Sequence, residues 1–265
     1  MVQILLLALI FFVIATVFAM IGMGGGILYV PILIFAGFSF KQAPAISLIM
    51  IAAKSSAALI IFLRNRKVDW KLAIVIDPPT DVMAFIGGYF SALIHESILR
   101  GFLAGILMIA GTLMLKKNTR RTPSKIKGGR QWWLWHRRFN CVEYRVNLPL
   151  VLTASGLIGV LSGMLGITGG IIKLPVMVLL CGVPMDIAVA TSTVMVAVTA
   201  MFGLAGHVVN SQVNWHIGFV LAVIAVAGGL LGSHISISMD KERLKRIFGV
   251  IVWLVAIRII FQLFA

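Results

Sequence analysis

The stretch Met23-Gly24-Gly25-Gly26-Ile27-Leu28-Tyr29-Val30-Pro31 returns in altered form, 144 residues further on, as Ile167-Thr168-Gly169-Gly170-Ile171-Ile172-Lys173-Leu174-Pro175. The same offset carries Gly22 onto Gly166. After one inserted residue, a register of 145 pairs Ser47 with Ser192, Asn65 with Asn210, Val68 with Val213, Trp70 with Trp215, Gly87 with Gly232 and Leu99 with Leu244. Coincident glycines alone would mean little in an apolar chain, but matched Pro, Asn and Trp at one offset mark an internal repeat. Whatever one half folds into, the other half has to accommodate.

Water is not the solvent of either half. Hydrophobic residues make up 60% of the chain and charged residues 12%, with a mean hydropathy of +1.07; a soluble fold of this length could not bury so much apolar surface. Each half reads as five apolar segments, roughly 2–21, 27–38, 43–63, 70–94 and 98–115 in the first, and 147–165, 171–182, 187–207, 215–237 and 244–264 in the second. The expected fold class is an all-α polytopic membrane protein with ten transmembrane segments: a first repeat over 1–115, a basic cytoplasmic linker over 116–146 and a second repeat over 147–265. Met1 to Met20 has no basic leader and no small-residue cleavage site, so it reads as a retained first helix. The second segment of each half spans about 12 residues, or about 18 Å, too short to cross the hydrocarbon alone. Its glycine-rich start should therefore lie inside the membrane.

Five crossings is an odd number, so the second half must enter from the opposite side, as in inverted-repeat transporters. With the amino terminus outside, eighteen Lys and Arg face the cytoplasm: Arg64, Arg66, Lys67 and Lys71, the ten between Lys116 and Arg145, and Lys241, Arg243, Lys245 and Arg246. Only Lys41, Arg100 and Arg258 face out. That is the positive-inside pattern, and it places both termini outside a plasma membrane. Homologous loops also change habit with side: Arg64-Asn65-Arg66-Lys67 corresponds to Val209-Asn210-Ser211-Gln212. The net charge of +15 thus comes from topology and lipid-headgroup contacts; no nucleic-acid partner is expected. Trp132, Trp133 and Trp135 beside Arg137 and Arg138 read as a segment lying at headgroup level. A homodimer is compatible with 26 glycines.

Candidate chemistry gathers at the repeat. Gly24, Gly25 and Gly26 in one half, and Thr168, Gly169 and Gly170 in the other, would turn the backbone sharply and start short helices whose amide N–H groups suit an anion; the bland alternative is close helix packing. Ser47 and Ser192 occupy equivalent positions and, with Thr191, could donate hydrogen bonds to anion oxygens. Lys54 lies midway along its segment, where an uncompensated charge costs several kcal/mol, so it needs a partner. Asp77 and Asp81, one helical turn apart, are the expected ones, and the group serves as a structural ion pair, as a cationic contact by which Lys54 binds a transported anion, or as a switch that couples transport to protons. Pro78-Pro79 should break that helix. Lys173 stands where the first half has Tyr29 and could add positive charge to the site or snorkel to the interface. The five histidines are dispersed, the two cysteines have no ligand spacing, and no Walker loop or dinucleotide fingerprint appears, so no cofactor or metal is expected.

These residues resemble a family. Gly22-Met23-Gly24-Gly25-Gly26 with Pro31, Gly166-Ile167-Thr168-Gly169-Gly170 with Pro175, Ala190-Thr191-Ser192 and the pair Val68-Asp69-Trp70 and Val213-Asn214-Trp215 resemble the TauE/SafE sulfite exporters over nearly the whole chain outside the join. The resemblance implies a secondary transporter that carries sulfite, organosulfonates such as sulfoacetate or related small sulfur-containing anions outward. Two departures bear on the site: Thr168 stands in place of Gly24, and Ala45-Ile46-Ser47 lacks the threonine of Ala190-Thr191-Ser192. The rival readings are a cation, metal or proton-coupled carrier using Asp77 and Asp81, and a membrane scaffold acting through the basic linker.

Overall fold

The computed structural model describes residues 2–95, 97–99, 101, 102, 104, 105, 108, 112, 133–139, 142–210, 213–238, 253 and 257. Their helices are α1 (Val2–Ile21), α2 (Gly26–Phe35), α3 (Gln42–Arg64), α4 (Trp70–Ile76), α5 (Pro78–Phe90), α6 (Leu148–Leu165), α7 (Gly170–Pro175), α8 (Met185–Val209) and α9 (Trp215–Ser236). Among the described residues, α3, α6, α8 and α9 are long and apolar enough to cross a bilayer, with shorter apolar helices over Leu7–Ile21 and Gly26–Phe35. The described positions between 97 and 112 are helical. The last expected segment, 244–264, lies outside the described residues except for Trp253 and Ile257.

Local chemistry sets the helix ends. Gly22 (φ 72°) stops α1 and Gly166 (φ 66°) stops α6, both in the left-handed region that glycine adopts without penalty. Asp69, Asn147 and Asn214 cap α4, α6 and α9 by accepting backbone N–H groups on their side chains. The helix after Trp70 breaks at Asp77, as the Pro78-Pro79 pair predicts, because proline has no N–H to donate and its ring crowds the carbonyl of the preceding turn. Both short helices begin one residue earlier than expected, on Gly26 and Gly170. The second continues as a π turn over Val176–Leu180.

The packing pairs helices of one half with helices of the other. α5 packs on α6 and α8, α9 packs on α1 and α3, and α3 packs on α8. A Cβ on Gly87 would stand 2.2 Å from the Val160 carbonyl oxygen, and one on Gly232 1.9 Å from that of Thr16. So α5 meets α6, and α9 meets α1, backbone against backbone, at positions that the repeat makes equivalent. α3 and α8 run antiparallel: Lys67, just past the end of α3, reaches Asp186 in the first turn of α8 at 3.4 Å. At the other end of the bundle, Asn210 after α8 donates to the Tyr89 carbonyl near the end of α5 at 2.6 Å.

The join departs from the all-α expectation. Leu134–Phe139 and Val142–Asn147 form an antiparallel hairpin, β1 and β2, with Arg137 opposite Tyr144 and Trp135 opposite Val146. Its alternation is what a two-faced ribbon requires: Tyr144 and Val146 are buried, and Glu143 is exposed. Arg137 and Arg138 therefore point to opposite faces, and only Arg138 pairs with solvent-exposed Glu143, at 3.9 Å.

Candidate functional site

The two glycine corners touch. A Cβ on Gly26 would lie 2.3 Å from the Gly166 carbonyl oxygen, one on Gly24 would lie 1.5 Å from Thr168 Oγ1, and one on Gly170 would lie 3.5 Å from the Gly24 amide nitrogen. Nothing larger than glycine fits at Gly24 or Gly26 while the corners stay in contact. Hydroxyls from the two halves lock the arrangement reciprocally. Ser47 Oγ of α3 donates to the Gly166 carbonyl at 2.8 Å, and Ser192 Oγ of α8 donates to the Gly22 carbonyl at 2.7 Å. Each serine thus satisfies the turn of the opposite half, contributing about 0.5–1.5 kcal/mol. Their protons are engaged with carbonyls in this conformation.

Around the first corner stand groups with donor capacity to spare. Tyr29 is fully buried, folds its phenol back over Gly25 and packs edge-on against Phe11 at 5.6 Å. Among the described residues its hydroxyl has no partner, and neither does that of Thr168, which is 3% exposed. Lys54 donates to the Met23 and Gly24 carbonyls at 2.8 and 3.0 Å, using two of the three donors an ammonium carries. The Lys54 stem fits because Gly229 of α9 faces it: a Cβ there would come within 2.8 Å of Lys54 Cγ.

Lys54 is therefore not the partner of the aspartates, as charge alone had suggested. Asp77, in the break between α4 and α5, is ion-paired with Lys173 of α7 instead. Thr199 of α8 stands between them: its hydroxyl donates to Asp81 at 2.8 Å and lies 3.4 Å from the Lys173 ammonium. All four side chains are buried. Lys54 and Thr199 are equivalent under the repeat, as are Tyr29 and Lys173, so each half holds one buried lysine on a different element. Among the described residues only the second half's lysine faces carboxylates, because the positions equivalent to Asp77 and Asp81 are Ala222 and Val226.

A third cluster lies at the end of the bundle where α3 stops. Asp69, with no solvent exposure, accepts from Arg137 Nε and one of its terminal nitrogens at 3.0 Å each, from the Tyr144 hydroxyl, and from the Lys71 and Leu72 amides. Burial by itself would raise this carboxyl, but the hydrogen bonds from Arg137, Tyr144 and Leu72 and the guanidinium charge outweigh it and hold the carboxyl below the usual range. Burial and the bond to Asp69 push the Tyr144 phenol up. The Asp69 amide donates to Thr191 Oγ1 at 3.0 Å, so Thr191 braces the α3–α4 loop. The hairpin also reaches the second broken helix, with the Arg145 amide donating to the Cys181 carbonyl at 3.3 Å.

Comparison with known proteins places this arrangement. The sulfite exporter TauE/SafE family matches residues 7–259. The chain belongs to the TauE/SafE family. Its relatives include the probable membrane transporter protein YunE of Bacillus subtilis, 27% identical with 93% of each chain covered. Another is the probable membrane transporter protein YfcA of Escherichia coli K12, 28% identical over 92% of this chain and 86% of that one. The archaeal probable membrane transporter protein MJ0441 of Methanocaldococcus jannaschii is 23% identical, covering 91% and 89%. No solved structure matches. The protein is a multi-pass membrane transporter.

Within this TauE/SafE transporter the sequence-derived residues fall into three groups. Gly24, Gly25, Gly26, Thr168, Gly169, Gly170 and Lys54 gather at the corners; Ser47, Ser192 and Thr191 hold the elements around them; Lys173, Asp77 and Asp81 form the ion cluster. Sequence reasoning missed three contributors: Tyr29, Thr199 as a bridge between acids and lysine, and the Asp69–Arg137–Tyr144 dock. One signal pointed to the dock: in the matched triplets Val68-Asp69-Trp70 and Val213-Asn214-Trp215, both middle residues cap a helix, so a cap does not explain why one of them is charged.

Proposed function

We propose that this transporter exports a small oxyanion, sulfite or an organosulfonate such as sulfoacetate, across the plasma membrane by alternating access at a midplane site between the two glycine corners. The observation that carries this reading is the pair of buried hydroxyls, Tyr29 and Thr168, that have no partner among the described residues and flank Gly24 and Gly25 beside the Lys54 ammonium. A cluster of donors suits a ligand with several acceptor oxygens, and charge-assisted hydrogen bonds to such oxygens are the stronger kind. The start of α2 adds its positive end. A buried tyrosine or threonine hydroxyl with nothing to bond costs about 1–3 kcal/mol, a cost that a bound oxyanion would remove. The relatives' names, probable membrane transporter proteins, and the family's description as sulfite exporters agree with the class.

Two oppositely inserted halves fit the antiparallel run of α3 and α8, the reciprocal Ser47 and Ser192 bonds and the equivalent Gly87 and Gly232 crossings. Ten crossings with both termini outside rest on the charge distribution of the loops. The resting potential, negative inside, favours outward movement of an anion by about 2.3 kcal/mol per charge per 100 mV. A cation carrier is the weaker reading, because one of its two carboxylates is already occupied by Lys173.

The test is transport by the purified protein in sealed vesicles, with sulfite, sulfoacetate, phosphate and divalent cations offered in turn. Saturable movement of a sulfur oxyanion, lost in Lys54→Met and weakened in Tyr29→Phe and Thr168→Val, supports the proposal. Movement of cations alone, abolished by Asp77→Asn with Asp81→Asn and indifferent to Lys54→Met, overturns it.

A further inference from the structure

We propose that oxyanion binding is linked to uptake of one proton by the Asp77–Asp81 pair, with Lys173 as the shared partner that the proton releases. The proposal rests on the oxyanion reading above and adds its coupling.

Lys173 emerges from the second glycine corner, its amide bonded to the Gly169 carbonyl at 2.8 Å, so its side chain starts within one turn of the place assigned to the anion. Its ammonium is nevertheless engaged with Asp77 and lies 3.4 Å from Thr199 Oγ1. One ammonium cannot be given fully to a carboxylate and to an incoming anion. The count of buried charge sharpens the conflict: among the described residues the membrane core holds Lys54 and Lys173 against Asp77 and Asp81. That sum is zero with all four ionised, and an anion entering this volume makes it negative unless a carboxylate takes up a proton.

The surroundings leave this pair as the group that can respond. α8 presents Thr199 to Asp81, and α7 presents Lys173. α6 carries no titratable side chain and packs Gly159 against the Thr80 backbone. α4 leads directly into Asp77. His207 of α8 bonds to the Gly163 carbonyl and to Ser91, beside Gly88 and about two turns of α5 beyond Asp81. Lys54 sits on backbone carbonyls, which do not titrate. The other half has Ala222 and Val226 in place of the acids, so the linkage is built into one half alone.

The step balances simply. A proton from water joins a carboxylate oxygen of the pair, the Lys173–Asp77 ion pair opens, and a Lys173 N–H donates to an oxygen of the anion; release reverses it. No other bond changes, and the transported unit carries one negative charge fewer than the free anion.

The measurement is the affinity of the detergent-purified protein for sulfoacetate, chosen because its carboxyl titrates near 4 and stays ionised through the neutral range. Binding is followed by calorimetry at several pH values in buffers of different ionisation heat. Uptake of one proton weakens binding by about tenfold per pH unit on the alkaline side of the pair's titration, with a buffer-dependent heat showing a proton drawn from the buffer. In Asp81→Asn, and in Asp77→Asn with Asp81→Asn, the slope flattens, each variant being first shown to be folded by a cooperative thermal unfolding transition in detergent. Binding that is the same at every pH overturns the proposal and leaves the oxyanion site standing, as does a wild-type slope in the double variant. Failure of sulfoacetate and sulfite to bind at any pH overturns both.

Discussion

Asp69→Asn should be far costlier than its chemistry suggests, because the same exchange occurs naturally across the repeat at Asn214. Asparagine can keep the cap on α4 by offering its carbonyl oxygen to the Lys71 and Leu72 amides, as Asn214 does to Ile217 at the start of α9. It cannot keep the dock. Its amide nitrogen would face the Arg137 guanidinium and the Tyr144 hydroxyl, both donors to the carboxylate. Breaking a buried pair from one side costs about 3–5 kcal/mol. The Arg137 side chain is 18% exposed and can regain some water, so the lower end applies, about 3 kcal/mol. For a chain of this size that corresponds to a fall in apparent Tm of roughly 6–12 °C. Thermal unfolding in detergent, followed by tryptophan fluorescence, measures it. The sign with pH is fixed by the lowered carboxyl: the stabilisation is complete above the unfolded value, about 3.9, and is lost as pH falls through the folded one. The gap between wild type and variant should therefore be constant near neutrality and close in acid. A gap under about 2 °C at neutral pH, or one that widens in acid, would refute the reasoning.

Three further outcomes follow from the same contacts. Gly26→Ala puts a methyl against the Gly166 carbonyl oxygen and Ile167 Cα, both backbone, so transport in vesicles should be lost even in the protein that folds. Ser47→Ala and Ser192→Ala each strip a buried carbonyl of a cross-half donor and should lower stability by about 1–3 kcal/mol, and by similar amounts because the two positions are equivalent. Lys173→Met leaves Asp77 charged and unpaired, a loss of about 3–5 kcal/mol visible in Tm, and adding Asp77→Asn should recover most of it.

Where sequence reasoning worked, one local rule was in force. The third segments, expected at 43–63 and 187–207, are helices over Gln42–Arg64 and Met185–Val209, because apolar length alone decides a spanning helix. The break at Asp77 before Pro78 and the turns at Gly22 and Gly166 follow from local backbone sterics. Pairing was harder. Lys54 and Lys173 both needed an acid, and choosing between them required knowing that α7 folds back beside α5 while the Lys54 ammonium meets bare carbonyls at the corner. Tyr29 entered only as the counterpart of Lys173, because an unpartnered phenol cannot be told from a satisfied one without its neighbours. The hairpin dock joins residues 68 and 75 positions apart through a ribbon of only two strands, too short for a period-2 pattern to stand out among clustered tryptophans and arginines.

Single cysteines at positions 65 and 210, introduced after replacing Cys141 and Cys181 by serine, test most directly whether two opposed halves share one site. With an impermeant thiol reagent applied to intact cells, the account predicts that the cysteine at 210 reacts from outside and the one at 65 only after the membrane is opened. Equal labelling of both from the same side would contradict it.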